Sequence, residues 1–490
     1  MSDDAGEGLF SVTGQLSGRR GRTGVIRTPH GEIHTPAFIA AATRATVTAV
    51  LPDTRKMLGA QALLGPSSLV GGGGRTMNLM TTSQTELAEP RALLVRFLDP
   101  ASRADPYPIY RQLRERGALR IPEANLAVFS SFDDCDEALR HPSSSSDRLK
   151  STVAQRAIAA GQEPRPFGPP GFLFLDPPDH TRLRKLVSKA FAPRVVKGLQ
   201  PDIAMLVEGL LDRIAEQGRF DAVEDLAHPL PVAVICRLLG VPIADEPKFS
   251  RASGLLAQAL DPFVTVTGEP PDGFAERMEA ALWLRDYLRE LVEERRGTPG
   301  NDLMSALIEV EESGDQLTED EIIATCNLLL IAGHETTVNL IANAILALLR
   351  DPAQWEALAN DAGRVSGVVE ETLRYDPPVH LVGRVAGDDM TIGEVAVPQG
   401  DTMMLLLGAA HRDPAANERP DVFDPDRKAV RHLAFGHGPH FCIGAPLARL
   451  EAAVALSAVS ARFPQARLDG EPAYKPNVTL RGLSTLAVKV

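Results

Sequence analysis

A long apolar segment between Thr318 and Asp351 dominates the hydrophobic pattern of the chain. Thr318 and Glu321 form the T-x-x-E pattern of a capping box, which predicts that a helix begins there. The apolar residues continue through NLLLIAG and LIANAILALL, and the pattern ends at Asp351-Pro352. The predicted helix is about 50 Å long. A helix that long and apolar on most faces must run through the middle of a sizeable core.

Shorter helices and strands are predicted on both sides of this segment. Turn residues, prolines and glycines delimit the helices Ile109–Arg116 (ending at Gly117), His180–Phe191 (closed by Pro193), Val365–Tyr375 and one that begins near Pro446. Two β-prone runs, MTIGEVAV and TMMLLL, flank Pro398 and Gly400. The sequence therefore predicts a mainly α fold with small β-sheets.

Four consecutive glycines, Gly71–Gly74, divide the chain into residues 1–75 and 76–490. A glycine run cannot hold a regular element and acts as a joint. The second part is long enough for one large domain.

Composition narrows the classes of function. The net charge of −13 argues against a surface that binds nucleic acid. The acidic, polar start and the lack of an uncharged apolar run of about 18 residues argue against a signal peptide and a membrane anchor. Four cysteines without C-x-x-C spacing fit a reducing compartment, so we expect a cytoplasmic protein.

The strongest chemical signal is FGHGPHFCIG, from Phe435 to Gly444. Glycines at positions 436, 438 and 444 allow a tight turn and a close approach to a flat ligand. Cys442 comes just before a predicted helix, where amide groups and the helix dipole favour an anionic sulfur. The alternative for a single cysteine is a buried free thiol in a glycine-rich turn, but the surrounding pattern favours a ligand.

This string resembles the cysteine loop of the cytochrome P450 family, F-G-x-G-x-x-x-C-x-G. The resemblance covers about residues 90–490 and implies that Cys442 is the proximal ligand of a haem, whose electron donation favours O–O cleavage. It also implies that Phe435, Gly436 and Gly444 contact the haem. ETLR, which contains Glu371 and Arg374, resembles the family's E-x-x-R pair. That pair is structural and joins an arginine from the segment Pro420–Arg427.

AGHETT, from Ala332 to Thr337, resembles the oxygen-activation motif of the same family. The resemblance implies that small Ala332 and Gly333 leave room for dioxygen and substrate. It further implies that Thr336 assists oxygen activation by a hydrogen bond, while Glu335 relays protons from solvent. The alternative is a threonine that bonds back to its own helix and only bends it.

The segment from Asp176 to Phe191 resembles the family's H-x-x-x-R helix. His180 and Arg184 share a helix face, and the resemblance implies that they hold a haem propionate. Arg384 and His440 match further propionate contacts. Arg182, Lys185 and Lys189 of this helix either form a patch that attracts an acidic electron carrier or are a solvated face.

The resemblance implies a triangular helical prism around haem b, acting as a monomer. The expected reaction inserts one oxygen atom from O2 into a lipophilic substrate, with electrons from ferredoxin and ferredoxin reductase. Peroxide-driven or non-oxygenating haem-thiolate chemistry is an alternative, and a tRNA-modifying transferase is a second one.

That second alternative comes from the N-terminal segment. GRTGVIRTPHGEIHTPAFIAAATRATVTAVLP is similar to the start of tRNA-guanine transglycosylases, and the similarity covers about residues 11–70. These enzymes are (β/α)₈ barrels, which need about 250 residues. Their base-exchange aspartates and zinc ligands have no counterpart here. We therefore expect residues 1–75 to be a non-catalytic fragment.

Overall fold

The computed structural model describes residues 10–15, 22–28, 31–35, 90–161, 163, 168–257, 273–313 and 317–490. The chain divides into two compact units, Met1–Val95 and Arg96–Val490. The Gly71–Gly74 run and position 76 lie outside the described residues, so the predicted boundary there stays a prediction.

The first unit contains a three-stranded antiparallel sheet in the order β1-β2-β3, formed by Phe10–Gln15, Arg22–Thr28 and Gly31–Thr35. Thr28 pairs with Gly31 at the hairpin between the last two strands. The register of β1 against β2 shifts between Val12 and Gly14.

The second unit is mainly helical. In chain order the helices are α1 Pro90–Leu98, whose first residues belong to the first unit, α2 Tyr107–Arg116, α3 Phe132–Arg140, α4 Thr152–Ala159, α5 Asp179–Ser188, α6 Pro193–Gly198, α7 Gln200–Ala215, α8 Pro229–Leu239, α9 Glu246–Ala257, α10 Phe274–Gly297, α11 Leu303–Glu312, α12 Glu319–Arg350, α13 Pro352–Asn360, α14 Val365–Tyr375, α15 Leu407–Ala410 and α16 Ala445–Arg462.

Small sheets complete this unit. Its strands are β4 Leu119–Ile121, β5 Leu126–Phe129, β6 Ser144–Ser145, β7 Arg219–Asp221, β8 Val382–Ala386, β9 Met390–Ile392, β10 Val395–Val397, β11 Thr402–Leu405, β12 Arg467–Leu468, β13 Ala473–Tyr474, β14 Leu483–Thr485 and β15 Ala487–Lys489. The largest sheet has the order β4-β5-β11-β8-β6, in which β5 and β11 are parallel and the other pairs antiparallel.

Helix α12 runs through the core, as predicted. Thr318 and Glu321 form the capping box, with the Glu321 amide donating to Thr318 Oγ1 at 3.3 Å and the Thr318 amide to the Glu321 carboxylate at 3.0 Å. The helix is long and apolar enough to cross a bilayer, but 67% of its most apolar stretch is buried. Its apolar residues pack with those of α8, α10 and α16. Each fully buried Leu or Ile contributes about 1.5–3 kcal/mol.

The mainly α fold with small sheets is confirmed, and so is the helix Val365–Tyr375. The role of Pro193 was predicted wrongly. Helix α5 already ends at Ser188, and Pro193 opens α6 in its first turn. Proline suits a first turn because the amide that it lacks would have no intrahelical partner there.

Candidate active site

A cavity of about 290 Å³ lies between the middle of α12 and the loop that precedes α16. Cys442 lines it from the loop, and Thr336 lines it from the helix. Much of the remaining wall is aliphatic or aromatic. The apolar residues of the wall on the side of α12 include Phe172, Ile235, Leu328, Leu329, Ile331, Leu381, Val382 and Leu480.

The cysteine loop is held by its own backbone. The amide of Cys442 donates to the carbonyl of Phe435 at 2.8 Å, and the amide of Gly436 donates to Leu433 at 2.8 Å. Gly436 and Gly438 adopt φ of 69° and 70°, the left-handed region that favours glycine. Gly444 has φ −82°, so its importance rests on closeness to the ligand and not on strain. A Cβ there would lie 3.9 Å from the Cys442 sulfur.

The Cys442 side chain is exposed toward the cavity although the chain surrounds it. Burial raises the pKa of the thiol above its usual value, against a lowering by the amides of Gly444 and Ala445 and by the nearby Arg184. The amides at the start of α16 therefore favour the anion as predicted, but alone they do not outweigh burial. A bound metal ion would do so, because a coordinated thiol loses its proton.

Three basic side chains line one side of this cavity. Arg184 of α5, Arg384 of β8 and His440 of the cysteine loop all line it. His180 does not line the cavity, but the centre of its ring is 4.1 Å from that of His440. Both ring nitrogens of His180 are buried and have no hydrogen-bond partner in the described part of the chain.

Their electrostatics indicate a site for anions. Burial, with help from Arg148, lowers the pKa of Arg384 to about 10. Burial followed by Arg384 and His180 lowers the pKa of His440 to about 3. Carboxylates placed among these groups would offset their repulsion and accept their hydrogen bonds. The donor set thus fits a haem, which carries a flat apolar ring and two propionates.

Sequence reasoning missed two ionisable residues of the wall. Arg148 lines the cavity, and its guanidinium lies 4.8 Å from the centre of the Phe174 ring. Glu451 of α16 is 2% exposed, and burial raises its pKa to about 8. Its Oε2 atom has no partner among the described residues. Neither residue belongs to a motif that was recognised.

The residues of the AGHETT segment separate into two groups. Ala332, Gly333 and Thr336 line the cavity, whereas Glu335 does not. The Thr336 hydroxyl donates to the carbonyl of Ala332 at 3.0 Å, which is the back-bonding that the alternative interpretation predicts. Glu335 turns to the other side of α12, where Lys475 donates to its carboxylate at 2.7 Å.

Glu371 and Arg374 lie outside the cavity wall and are fully buried. Arg374 also donates to the carbonyls of Pro420 and Val422, at 2.7 and 2.9 Å. Arg427 donates to Glu371 at 3.3 Å, so the arginine that was expected to join the pair does so.

The neighbouring Glu370, which the sequence did not single out, supports the cysteine loop more directly. It accepts from Arg449 at 2.5 Å and from His432 at 3.0 Å. The guanidinium of Arg449 lies 4.5 Å from the centre of the Phe435 ring. After the opposing effect of burial, His432 and Arg449 lower the pKa of Glu370 to about 2.

Within the described ranges, no group of three or more His, Cys, Asp or Glu side chains is placed to hold a metal ion. An iron at this site would therefore take Cys442 as its ligand from the described part of the chain, and a porphyrin would supply the other ligands. The exposed sulfur, the apolar walls and the basic cluster fit that arrangement.

Comparison with known proteins agrees with this geometry. The family model described as Cytochrome P450 matches residues 119–472, and that of Queuine tRNA-ribosyltransferase matches residues 17–77. The chain is 40% identical to Cytochrome P450 107B1 of Saccharopolyspora erythraea over 403 residues, covering 80% of this chain and 96% of that protein. It is 38% identical to the Vitamin D(3) 25-hydroxylase of Pseudonocardia autotrophica over 393 residues, covering 78% of this chain and 93% of that protein.

Among solved structures, ligand-free CYP164A2 of Mycobacterium smegmatis is 69% identical with a TM-score of 0.78. The match covers 81% of this chain and 100% of that one. The family match, the relatives and the cavity together show that this chain belongs to the cytochrome P450 family and is a haem-thiolate monooxygenase.

Proposed function

We propose that this enzyme inserts one oxygen atom from O2 into a neutral, lipophilic substrate, using haem b and electrons from a ferredoxin and its reductase. The observation that carries the proposal is that Cys442 and Thr336 line one cavity from opposite elements. Besides Cys442, the ionisable residues of the described wall are Arg148, Arg184, Arg384, His440 and Glu451. The aliphatic and aromatic wall beside α12 favours an uncharged substrate. The relative that hydroxylates vitamin D(3) supports this class.

The residues that would hold the haem are those already described. Cys442 would be the iron ligand. The ring of Phe435 and the small residues Gly436 and Gly444 would contact the haem on the side of the cysteine loop. Arg184, Arg384 and His440 would bind the propionates, with His180 beside His440. When bound, a haem with a thiolate ligand supplies binding and reductive cleavage of O2.

The chain itself would manage the protons that this chemistry consumes. The Thr336 hydroxyl donates to Ala332, so its lone pairs can accept a hydrogen bond from a donor in the cavity. Ala332 and Gly333 leave space next to that hydroxyl. Glu335, the preceding residue, would return protons from solvent to Thr336 Oγ1 by changing rotamer.

Helix α5 supports the proposed electron partner. It lies against the cysteine loop, because Arg184 donates to the carbonyl of Phe441 at 2.5 Å. Lys185 and Lys189 are exposed, whereas Arg182 pairs with Glu321 at 2.5 Å and is less available. Positive charge here would steer an acidic ferredoxin.

Charge reversal tests that partner. Lys185→Glu with Lys189→Glu should slow reduction by ferredoxin and weaken its dependence on salt. Lys489→Glu, at an exposed lysine of β15, is the matched control. A rate of reduction equal to that of the control would remove the ferredoxin surface from α5.

We also propose that the enzyme is a cytoplasmic monomer and that residues 1–75 have no transglycosylase activity. The match to the transferase family ends at residue 77, far short of a barrel. A guanine-exchange assay and sedimentation of the purified chain test these two statements. Exchange activity or a stable dimer would contradict them.

The central experiment is the spectrum of the reduced enzyme with carbon monoxide. The native protein should show the red-shifted Soret band of a thiolate-ligated haem, and Cys442→Ser should lose it. Cys135→Ala, at a buried cysteine of another core cluster, should keep it. A normal band in Cys442→Ser would overturn the proposal.

A further inference from the structure

The side of α12 that faces away from the cavity carries a polar stripe. Glu335, Asn339 and Asn343 are spaced by four residues and so share one helix face. This face meets the C-terminal segment of the chain. Lys475 binds Glu335 at 2.7 Å, and Asn343 donates to the carbonyl of Arg481 at 3.4 Å.

Three residues near Glu335 lower the pKa of its carboxyl group. Burial raises the pKa of Glu335, and Lys475, His334 and His228 lower it, with Lys475 the strongest. The net shift is downward. His334 is itself buried, and its Nδ1 atom lies 2.8 Å from the carbonyl of Leu330. Lys475 is therefore the main reason that a nearly buried carboxylate stays ionised.

Lys475 also reaches a second, smaller cleft. That cleft has a volume of about 10 Å³ and a polar wall. A space of this size holds about one water molecule when it offers several polar partners. Its polar wall residues include Arg103, His380, Tyr474, Lys475, Asn477 and Arg481. The Lys475 side chain is 25% exposed, so it links Glu335 to the surface on this side.

We propose that Lys475 is a positioning residue for oxygen activation, which holds the Glu335 carboxylate toward the cleft of the C-terminal segment so that solvent protons enter from there. The inference rests on the proposed role of Glu335 as the proton donor to Thr336. Glu335 would collect a proton beside Lys475 and turn past the backbone of α12 to deliver it.

A purely structural ion pair would give the same distance, so the test needs a readout other than activity. Infrared difference spectra report the protonated carboxyl of Glu335, with Glu335→Gln as the reference that lacks it. Loss of a cation in direct contact should raise the midpoint for protonation in Lys475→Met by about one to three pH units. Lys475→Arg should restore it.

The same variants should separate in turnover. In Lys475→Met, the fraction of electrons that ends in product should fall because the Glu335 carboxylate is no longer held where solvent protons enter, and the solvent isotope effect should grow. In the Glu335→Gln background, Lys475→Met should add nothing. Lys489→Met, at an exposed lysine, is the matched control.

An unchanged infrared midpoint in Lys475→Met, with Glu335→Gln still losing product, overturns this inference and leaves the proposed function intact. If Glu335→Gln forms product normally, the proposed proton role fails and the inference fails with it.

Discussion

Arg374 and Glu371 form an ion pair in which neither side chain is exposed, with Nη2 2.6 Å from Oε1. A second contact joins Arg374 Nε to Glu371 Oε2 at 2.8 Å. The amide of Asp424 also donates to Glu371, at 2.8 Å. Helix α14 is thereby fastened to the segment that leads toward the cysteine loop.

Arg374→Ala should be strongly destabilising, because it leaves a carboxylate buried with too few partners. The expected loss is about 3–5 kcal/mol. Arg364 pairs with Asp426 at the surface and serves as the control. Arg364→Ala should cost about 0–1 kcal/mol. Chemical denaturation measures the free energy of unfolding of the two variants. Equal losses would show that the buried pair stabilises the fold no more than the surface pair.

Stability should fall on mild acidification because of His380. Burial, the largest effect, lowers the pKa of His380 to about 4, with Asp376 opposing it and Arg481 assisting. The unfolded chain binds this proton near pH 6.5. Between these values the unfolded state binds more protons, so stability is present above pH 6.5 and is lost as pH falls toward 4.

The contribution of His380 amounts to at most about 3 kcal/mol across that window. His380→Gln removes the titrating group and should flatten the dependence of unfolding free energy on pH between 6.5 and 4. Urea denaturation at several pH values measures the slope. A slope equal to that of the native chain would assign the acid sensitivity to other groups.

Two glycines of the cysteine loop allow strain and collision to be separated. A Cβ at Gly438 would lie 2.9 Å from the backbone carbonyl of Leu139, whereas at Gly436 the nearest atom would be 3.8 Å away. Gly436→Ala should therefore cost only the left-handed strain, about 1–2 kcal/mol. Gly438→Ala adds a collision with the backbone of Leu139, so on heating it should lose its haem at a lower temperature than Gly436→Ala. The reverse order would contradict this account of the loop.

The hydroxyl of Thr336 is the next test. Thr336→Val keeps the size of the side chain but removes the hydroxyl, so the rate of product formation should fall by roughly 10²-fold. Thr336→Ser keeps the hydroxyl and should recover much of that loss. Product formed per electron consumed is the measurement. If Thr336→Val forms as much product per electron as the native chain, Thr336 keeps its bond to Ala332 but has no role in oxygen activation.

The parts of the fold that the sequence predicted are those governed by local patterns. The capping box at Thr318 and the apolar period of α12 depend on residues a few positions apart. Pro193 was misread because proline can follow one helix or open the next. Lys475 is 140 positions from Glu335, and no local signal could pair them. Motifs therefore identified the residues at the cavity, while the charged partners behind them came only from the tertiary structure.

Gly482 brings the C-terminal segment close to Asn339 of α12. A Cβ there would lie 1.9 Å from Asn339 Oδ1 and 2.7 Å from its Nδ2 atom. Asn339 is fully buried, so its amide has no free space to enter. Gly482→Ala should destabilise the chain by about 1–3 kcal/mol through overpacking.

The double variant Gly482→Ala with Asn339→Ala decides whether that collision is the cause. Neither amide atom of Asn339 has a hydrogen-bond partner in the part of the chain that the structure describes, so its removal sacrifices no such bond there. The second substitution should then recover stability relative to Gly482→Ala alone, because residues in contact are not additive. Additive losses in thermal unfolding would place the strain at Gly482 elsewhere than against α12.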